Sequence, residues 1–471
     1  MTAEPSWQPR IGEGVRAPLY ERLVAALAED IAGGVLAPGD RLPAHRDLAR
    51  RLGISVGTVT RAYAALERQG LVHAVHGRGT FVSGAGSADE AVEVIDLSVN
   101  VPPPKLAERT LASALAELPG SLSTAEMFTY PDPLGAPRHR HAIAAWLRAQ
   151  GVNASPGHVL ITHGAQHALT VAFAAASESG GTVLADPHTY PGALVAAQHA
   201  GLRVLPVNND GAGMDPRALD AALRQTASAP ARIVYLMPTL HNPYGTTLSQ
   251  RRRREIAAVC RRRGAVIVED DVYSVFRSAR TTPLAALVPE RTWYVNGFSK
   301  SLSPGLRVGA LVAPGQNRAQ AQAVLQATTL AVSPLMAQLV SQWILDGTAA
   351  GVAAALRAES EERLRIAAAV LSSHMDAVPA AGFHFWLPMP RAQAEQTFQL
   401  AAGQGLLLTP PAATLSDPDS DRAGLRVCIG RPPLRQLERA LHRLRAVLRR
   451  VSPTGPDAAI RSSRSPQART R

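Results

Sequence analysis

The stretch Gly297-Phe-Ser-Lys-Ser-Leu-Ser-Pro-Gly-Leu-Arg307-Val-Gly309 decides how the rest of this chain is to be read. Lys300 is one of only two lysines in 471 residues, in a chain with 49 Lys and Arg together. The other, Lys105, follows three prolines in an expected loop. Arginine forms ion pairs as well as lysine does, but a guanidinium does not form a Schiff base. A lysine retained among so many arginines points to covalent chemistry at its ε-amine. Lys300 lies between an apolar run ending at Val295 and a Pro-Gly turn, and Arg307 follows. That placement suits an imine to the aldehyde of pyridoxal 5′-phosphate, with Arg307 on the phosphate. The plain alternative is a surface lysine beside a turn.

Around this stretch, short apolar strands alternate with helical segments. The expected strands are Val159–Thr162, Thr182–Ala185, Arg203–Pro206, Arg232–Met237, Ala265–Val268, Thr292–Val295 and Val308–Val312. Helices are expected at Gln166–Ser177, Ala193–Ala200 and Gln250–Arg263. Repeated strand-then-helix order argues for an α/β domain with a mainly parallel sheet. Ligands of such sheets sit beyond the strand ends, and the unusual residues of this chain cluster there.

Thr162-His-Gly164-Ala165-Gln166 follows one strand and opens a helix. Its glycine lets backbone approach a phosphate, and the helix start supplies amides and a favourable dipole. Tyr190, in Asp186-Pro-His-Thr-Tyr-Pro-Gly192, can stack on an aromatic ring or simply pack in its loop. Asn242, followed by Pro243, can donate to a phenolate oxygen. Val266-Ile-Val-Glu-Asp270-Asp-Val-Tyr273 puts an acid at the tip of an apolar strand. A carboxylate against a pyridine nitrogen keeps it protonated and makes the ring an electron sink. Strand alternation leaves Glu269, Asp270 and Asp271 all open for that role. Tyr273 would reach the same phenolic oxygen as Asn242. Arg426, inside the apolar segment Leu425–Gly430, needs a partner, either a substrate carboxylate or an internal acid. His163, His167 and His188 have no metal-ligand spacing and read as structural. No metal is expected, and Cys260 and Cys428 read as buried thiols.

Taken together, Tyr130-Pro-Asp-Pro-Leu-Gly135, Gly164-Ala165-Gln166, Tyr190, Asn242-Pro243, Asp270, Tyr273, Lys300, Arg307 and Arg426 resemble the fold-type I pyridoxal-phosphate enzymes, the aspartate aminotransferase group. The resemblance runs from about Ile95 to Arg450. It implies that Lys300 carries the cofactor and that Gly164, Ala165, Gln166, Tyr190, Asn242, Asp270, Tyr273, Ser299 and Arg307 surround it. It assigns Arg426 to the substrate carboxylate. It brings Tyr130 from a neighbouring subunit onto the phosphate, hence a homodimer. One departure is Gly297, where many members carry a phosphate-binding serine or threonine.

At the N-terminus, Leu19, Leu23, Leu27 and Ile31 recur every four residues, marking an amphipathic helix. A second helix is expected at about His45 to Leu52, ended by Gly53. A third is capped by Ser55 and runs to Gln69. Leu71–Val75 and Thr80–Val82 flank a tight turn, His76-Gly-Arg-Gly79. Three helices and a hairpin make a winged helix-turn-helix, whose third helix enters the major groove by its N-terminal end. Ser55, Gly57, Thr58, Thr60 and Arg61 then face DNA, with Arg46 and Arg78 near the backbone or minor groove. The runs Gly34-x-Leu-x-Pro-Gly39, Arg46-Asp-Leu-Ala49, Gly70-Leu71 and Gly77-Arg-Gly-Thr-Phe-Val82 resemble the GntR family of bacterial transcription regulators. Val56 departs from it, since many members have arginine there. A GntR-type reader ahead of an aminotransferase-like domain resembles the MocR subfamily.

The expected organisation is a winged helix over 16–83, a small, acidic linker over 84–94, the aminotransferase-like domain over 95–450, and a basic tail over 451–471. With 46% apolar residues the chain is globular, and no apolar run is long enough to span a bilayer or form a signal core, so a cytoplasmic location is expected. The formal charge of +12 permits a polyanionic partner. It is not concentrated in the reader, where residues 1–83 hold ten Arg against eight Asp and Glu. The runs Arg251–Arg254 and Arg261–Arg263 read as a solvated helix face or an accessory DNA contact. The expected function is a pyridoxal-phosphate-dependent regulator that binds an operator and senses an amino acid, an amine or the vitamer. The rival is a working aminotransferase with an accessory winged helix.

Overall fold

The computed structural model describes residues 18–37, 39–68, 71–75, 79–82, 93–103, 127–177, 180–277, 281–417 and 420–451, with four isolated positions elsewhere. Most of the linker, the hairpin turn with Arg78, Lys105 and the tail from 452 lie outside the described residues. The chain divides into two compact units, Met1–Glu93 and Val94–Arg471.

The first unit holds α1 (Leu19–Ala32), α2 (His45–Leu52), α3 (Val56–Arg68), β1 (Val72–Val75) and β2 (Gly79–Val82). The four-residue spacing in α1 buries Leu23 and Leu27, while Leu19 at the start of the helix stays exposed. Gly53 ends α2 in the left-handed region at φ 65°, a conformation costly for residues with a Cβ. Ser55 caps α3 through its Oγ, which accepts from Thr58 N at 3.1 Å. Leu23, Leu27, Leu48, Val59, Ala62 and Leu66 close the core beneath the antiparallel hairpin. Tyr63 Oη donates to Pro43 O at 2.9 Å and ties α3 to the segment before α2.

The second unit begins with β3 (Ile95–Asp96). There follow α4 (Pro137–Ala149), β4 (Val159–Thr162), α5 (Gly164–Ala176), β5 (Thr182–Ala185), α6 (Pro191–His199) and β6 (Arg203–Pro206). Next come α7 (Pro216–Gln225), β7 (Arg232–Leu236), α8 (Gln250–Arg263), β8 (Val266–Asp270), β9 (Thr292–Gly297) and β10 (Gly309–Val312). Strands β8 and β9 run two residues beyond the apolar stretches that announce them. Their last residues are polar or small but fully buried, so hydrophobicity alone stops short.

The sheet order is β4-β10-β9-β8-β7-β5-β6. Only β10 is reversed, pairing antiparallel with β4 and β9 in a register that puts Gly309 opposite both Thr162 and Gly297. The start of β10 therefore lies at the same edge as the carboxyl ends of its neighbours. Arg307, just before β10, is delivered beside the loops after β4 and β9. A smaller sheet pairs β11 (His384–Pro390) with β13 (Arg422–Cys428), and β12 (Leu406–Leu407) pairs with β3.

The arginine runs on α8 are a solvated face only in part: Arg251, Arg254, Arg261 and Arg262 are exposed, whereas Arg252 and Arg253 are buried. Arg253 is fully buried and donates to Leu248 O, Pro238 O and Thr239 Oγ1, with Glu269 3.6 Å away. Arg252 is 8% exposed and pairs with Asp210 at 2.7 Å. Arg262 and Arg263 both bind Asp220 of α7. A helical turn of about 100° per residue sends adjacent arginines to different faces, so an unbroken run must aim some inward.

Candidate cofactor site

Lys300 lies just beyond β9, and its partly buried amine donates to the main-chain oxygen of Asn100. Withdrawal from water disfavours the ammonium and brings its pKa down to about 8. A larger share of neutral amine at neutral pH follows, the form that attacks an aldehyde.

Asp270 ends β8 and is 1% exposed. Tyr235 Oη donates to its Oδ2 at 2.9 Å, whereas the buried Oδ1 has no hydrogen-bond partner among the described residues. Burial pushes its pKa up to about 7. The three neighbouring acids separate here by environment. Glu269 accepts from Leu284 N at 2.9 Å and Ala285 N at 2.7 Å, beside Arg253. Asp271 takes Tyr294 Oη at 3.1 Å and faces Arg277 at 3.4 Å. Asp271 Oδ1 is also without a partner among the described residues, but Glu269 and Asp271 stand beside cations of the scaffold, and it is Asp270 that acts electrostatically on Lys300.

Gly164 opens α5 at φ 74°, and a Cβ there would stand 2.9 Å from Arg307 Nη2. Arg307 donates to His163 O at 3.3 Å. Gly309 has no room for a Cβ either, which would meet Gly164 C at 2.5 Å and Ala165 N at 2.9 Å. At Gly297 a Cβ would lie 3.1 Å from Ala165 Cβ, so this departure goes with close packing of α5 onto the end of β9. Gln166 Nε2 donates to Gly192 O at 2.8 Å and holds the loop that carries Tyr190. Tyr190 is partly buried in this loop, within electrostatic reach of Arg307, and Ser299 is partly buried next to Lys300 in the chain.

Arg426 has no acid partner among the described residues. Nη1 donates to Asn242 Oδ1, and Nη2 donates to Ser98 O and Thr409 Oγ1, each at 2.9 Å. All three acceptors are neutral, so the guanidinium charge is left uncompensated, and the buried Nε has no partner among the described residues. Asn242 thus faces Arg426, and it is Asn100 whose Nδ2 donates to Tyr273 Oη, at 2.7 Å. The Asn242–Pro243 peptide is cis.

Lys300, Asp270, Tyr273, Arg426 and Arg307 are brought to one region, close enough to act electrostatically on the Lys300 amine or on Tyr273. Tyr130 is not among them; it is 90% exposed. The histidines hold structural positions: His188 between Thr414 and Arg422, His167 against Thr328, His163 against Ala331. Sequence reasoning missed Ser98, Asn100, His384 and Thr409. They come from opposite ends of the domain, and the one available signal was two polar residues interrupting the run that starts at Ile95.

On the first unit, Ser55, Gly57, Thr60, Arg61 and Arg46 are exposed and Thr58 is half-buried. Ser55 and Thr58 hydroxyls lie 2.8 Å apart, and Thr60 Oγ1 donates to Val56 O. Val56 is 43% exposed at the helix start.

The fit to pyridoxal phosphate rests on two features. The orphaned Asp270 oxygen suits a protonated ring nitrogen, and the Gly164–Arg307 cradle suits a phosphate. Residues 92–444 match the aminotransferase class I and II family, and residues 19–82 match the gntR family of bacterial regulatory proteins. The HTH-type transcriptional regulator YdcR of Escherichia coli K12 is 30% identical, covering 81% of this chain and 89% of its own. The vitamin B6 salvage pathway transcriptional repressor PtsJ of Salmonella typhimurium is 28% identical, over 86% and 92%. Among solved structures, LysN, the α-aminoadipate aminotransferase of Thermus thermophilus complexed with N-(5′-phosphopyridoxyl)-L-leucine, superposes with a TM-score of 0.69. It is 25% identical and covers 76% of this chain and 93% of LysN.

Proposed function

This chain belongs to the class I and II aminotransferase family and carries a gntR-family reader, the arrangement of the MocR transcription regulators, and on that premise we propose that it controls an operator in response to the state of pyridoxal phosphate at Lys300. The observation that carries this reading is the buried carboxyl of Asp270 at a strand tip, with one oxygen unpartnered among the described residues, in electrostatic reach of the Lys300 amine. Bound pyridoxal phosphate supplies an aldehyde that amines exchange onto and a ring that withdraws electrons. Lys300 would hold that aldehyde, Asp270 would take the ring nitrogen, Tyr273 the phenolic oxygen, and Tyr190 would pack against the ring. Arg307, Ser299 and the amides of Gly164, Ala165 and Gln166 take the phosphate. Asn242 orients Arg426, which takes a carboxylate, so an amino acid is the effector class best matched; the vitamer itself is the other, since the relative PtsJ is by name a repressor of vitamin B6 salvage.

The exposed Tyr130, beside Phe128 at 85% exposure, suits delivery to the phosphate of a second copy in a homodimer. Ser55, Gly57, Thr58, Thr60 and Arg61 read the operator from α3, with Arg46 and Arg78 near its backbone or minor groove. Such a regulator works in the cytoplasm. The test is operator affinity of the full chain with and without pyridoxal phosphate and an amino acid. The parent should change affinity by about 5- to 150-fold, the range of ordinary allosteric coupling, and Lys300→Ala should show none. A Lys300→Ala protein that responds like the parent would refute the sensing role.

The second reading is an aminotransferase with turnover. The gathering of Lys300, Asp270, Tyr273 and Arg426 favours it, because Lys300 is placed to carry a proton as well as to hold the cofactor. Sustained keto-acid release from an amino donor supports turnover; one half-reaction that stops supports the regulator.

A further inference from the structure

The Tyr273 hydroxyl has a single proton to give, and what it accepts decides where that proton goes. Asn100 Nδ2 donates to Tyr273 Oη at 2.7 Å, and the same nitrogen stands 2.9 Å from His384 Nδ1. A carboxamide nitrogen carries two protons, so both contacts are served together if His384 Nδ1 is bare. Nε2 of His384 lies 3.1 Å from His241 O, which only accepts, so the ring proton sits on Nε2. His384 is thereby neutral and in a single tautomer, and burial, which brings its pKa down to about 3, acts the same way. His384, Asn100 and Tyr273 are 1%, 7% and 2% exposed, so water does not compete for these bonds.

Every proton along the row His241–His384–Asn100–Tyr273 has an assigned direction. Tyr273 accepts from Asn100 and is left to donate on its other side. Lys300 Nζ donates to the main-chain oxygen of Asn100, the residue whose side chain bonds Tyr273, so the lysine amine and the Tyr273 hydroxyl stand beside one residue, with Asp270 and Arg426 acting on both. We infer that Asn100, aligned by His384, is a positioning residue that makes Tyr273 a hydrogen-bond donor to the phenolic oxygen of pyridoxal phosphate at Lys300. The inference rests on the cofactor reading above. A donor on that oxygen stabilises its negative charge, which makes the proton shared between the oxygen and the lysine-linked nitrogen easier to remove. The charged and titratable groups facing this proton are Asp270 from β8, Tyr190 from the loop before α6, Arg307 before β10, and Arg426 and Cys428 from β13. His241 and His384 lie behind Asn100. None of them changes in the variants below except where His384 is itself replaced.

The experiment is a pH titration of the visible absorbance of the full-length, cofactor-loaded protein. Asn100→Leu should raise the midpoint of the absorbance change by about one pH unit, the worth of one neutral hydrogen bond. Tyr273→Phe should raise it at least as far. The double variant should match Tyr273→Phe alone, because both changes remove the same bond. A midpoint unmoved by Asn100→Leu, or additive shifts in the double variant, would overturn the inference. Should Asn100→Leu not fold, His384→Phe is read in its place, with a smaller rise expected and no rise counting against. Loss of the visible band in Lys300→Ala is the internal control. Its survival there would sink the cofactor reading itself, a different failure from an unmoved midpoint.

Discussion

At the scale of single residues, the acids and the arginine of the site differ from ordinary surface charges in what they lack. Asp270 has one oxygen without a donor, and its pKa of about 7 lies above the unfolded value of about 3.9. A folded pKa above the unfolded one means the native state holds the proton more tightly. Its stabilising effect is full below about pH 4 and lost as pH rises through about 7. Melting temperatures of the cofactor-free protein should therefore show Asp270→Asn gaining on the parent between about pH 5 and 7. Lys300, brought down to about 8, acts with the opposite sign and above that window. A constant difference across the window would show that Asp270 is not so buried in solution. Arg426 allows a second residue-scale test. Arg426→Gln should weaken an α-amino acid about 10- to 100-fold, the worth of hydrogen bonds to a charged group, and leave the corresponding decarboxylated amine unaffected. Equal losses for both ligands would show that Arg426 only supports the fold.

At the scale of elements, α8 shows where a pattern of charge misleads. Seven arginines in fourteen residues look like a solvated face, yet two of them, Arg252 and Arg253, are buried and pin the helix. Arg253 serves three acceptors and faces Glu269, which in turn holds the backbone before β9. Arg253→Met leaves Glu269 buried without its cation and should cost about 3–5 kcal/mol in denaturant unfolding. Adding Glu269→Gln should recover part of that loss, and a Met variant as stable as the parent would show the pair to be dispensable. Strand and helix positions were largely legible, because apolar period and turn residues are local properties. The strand ends at Glu269-Asp270 and Asn296-Gly297 were not, because their burial depends on partners elsewhere in the chain.

At the scale of the whole molecule, the charge of +12 belongs to the second unit, since residues 1–93 hold ten Arg against eleven Asp and Glu. The reader's own grip on DNA then rests on a few placed arginines, and Arg61→Ala or Arg46→Ala should each lower the salt slope of operator affinity by about one if each neutralises one phosphate. Base preference unchanged by Arg46→Ala but altered by Arg61→Ala would separate backbone contact from reading. The chain divides into two compact units, and each matches its own family.

What the amino-acid order determined alone is the class of both units, the lysine proposed to hold the cofactor and the strand tips near it. These follow from patterns within a few residues: a period of four, a run of apolar side chains, a glycine before a helix. Only the tertiary structure decided which of three adjacent acids faces Lys300, that Arg426 has neutral partners, and that Asn100 stands between Lys300, Tyr273 and His384. Ser98 and Arg426 are 328 positions apart, Asn100 and His384 284. Contacts over such separations arise from the packing of β13 and β11 against the segment after β3, and no local period encodes them.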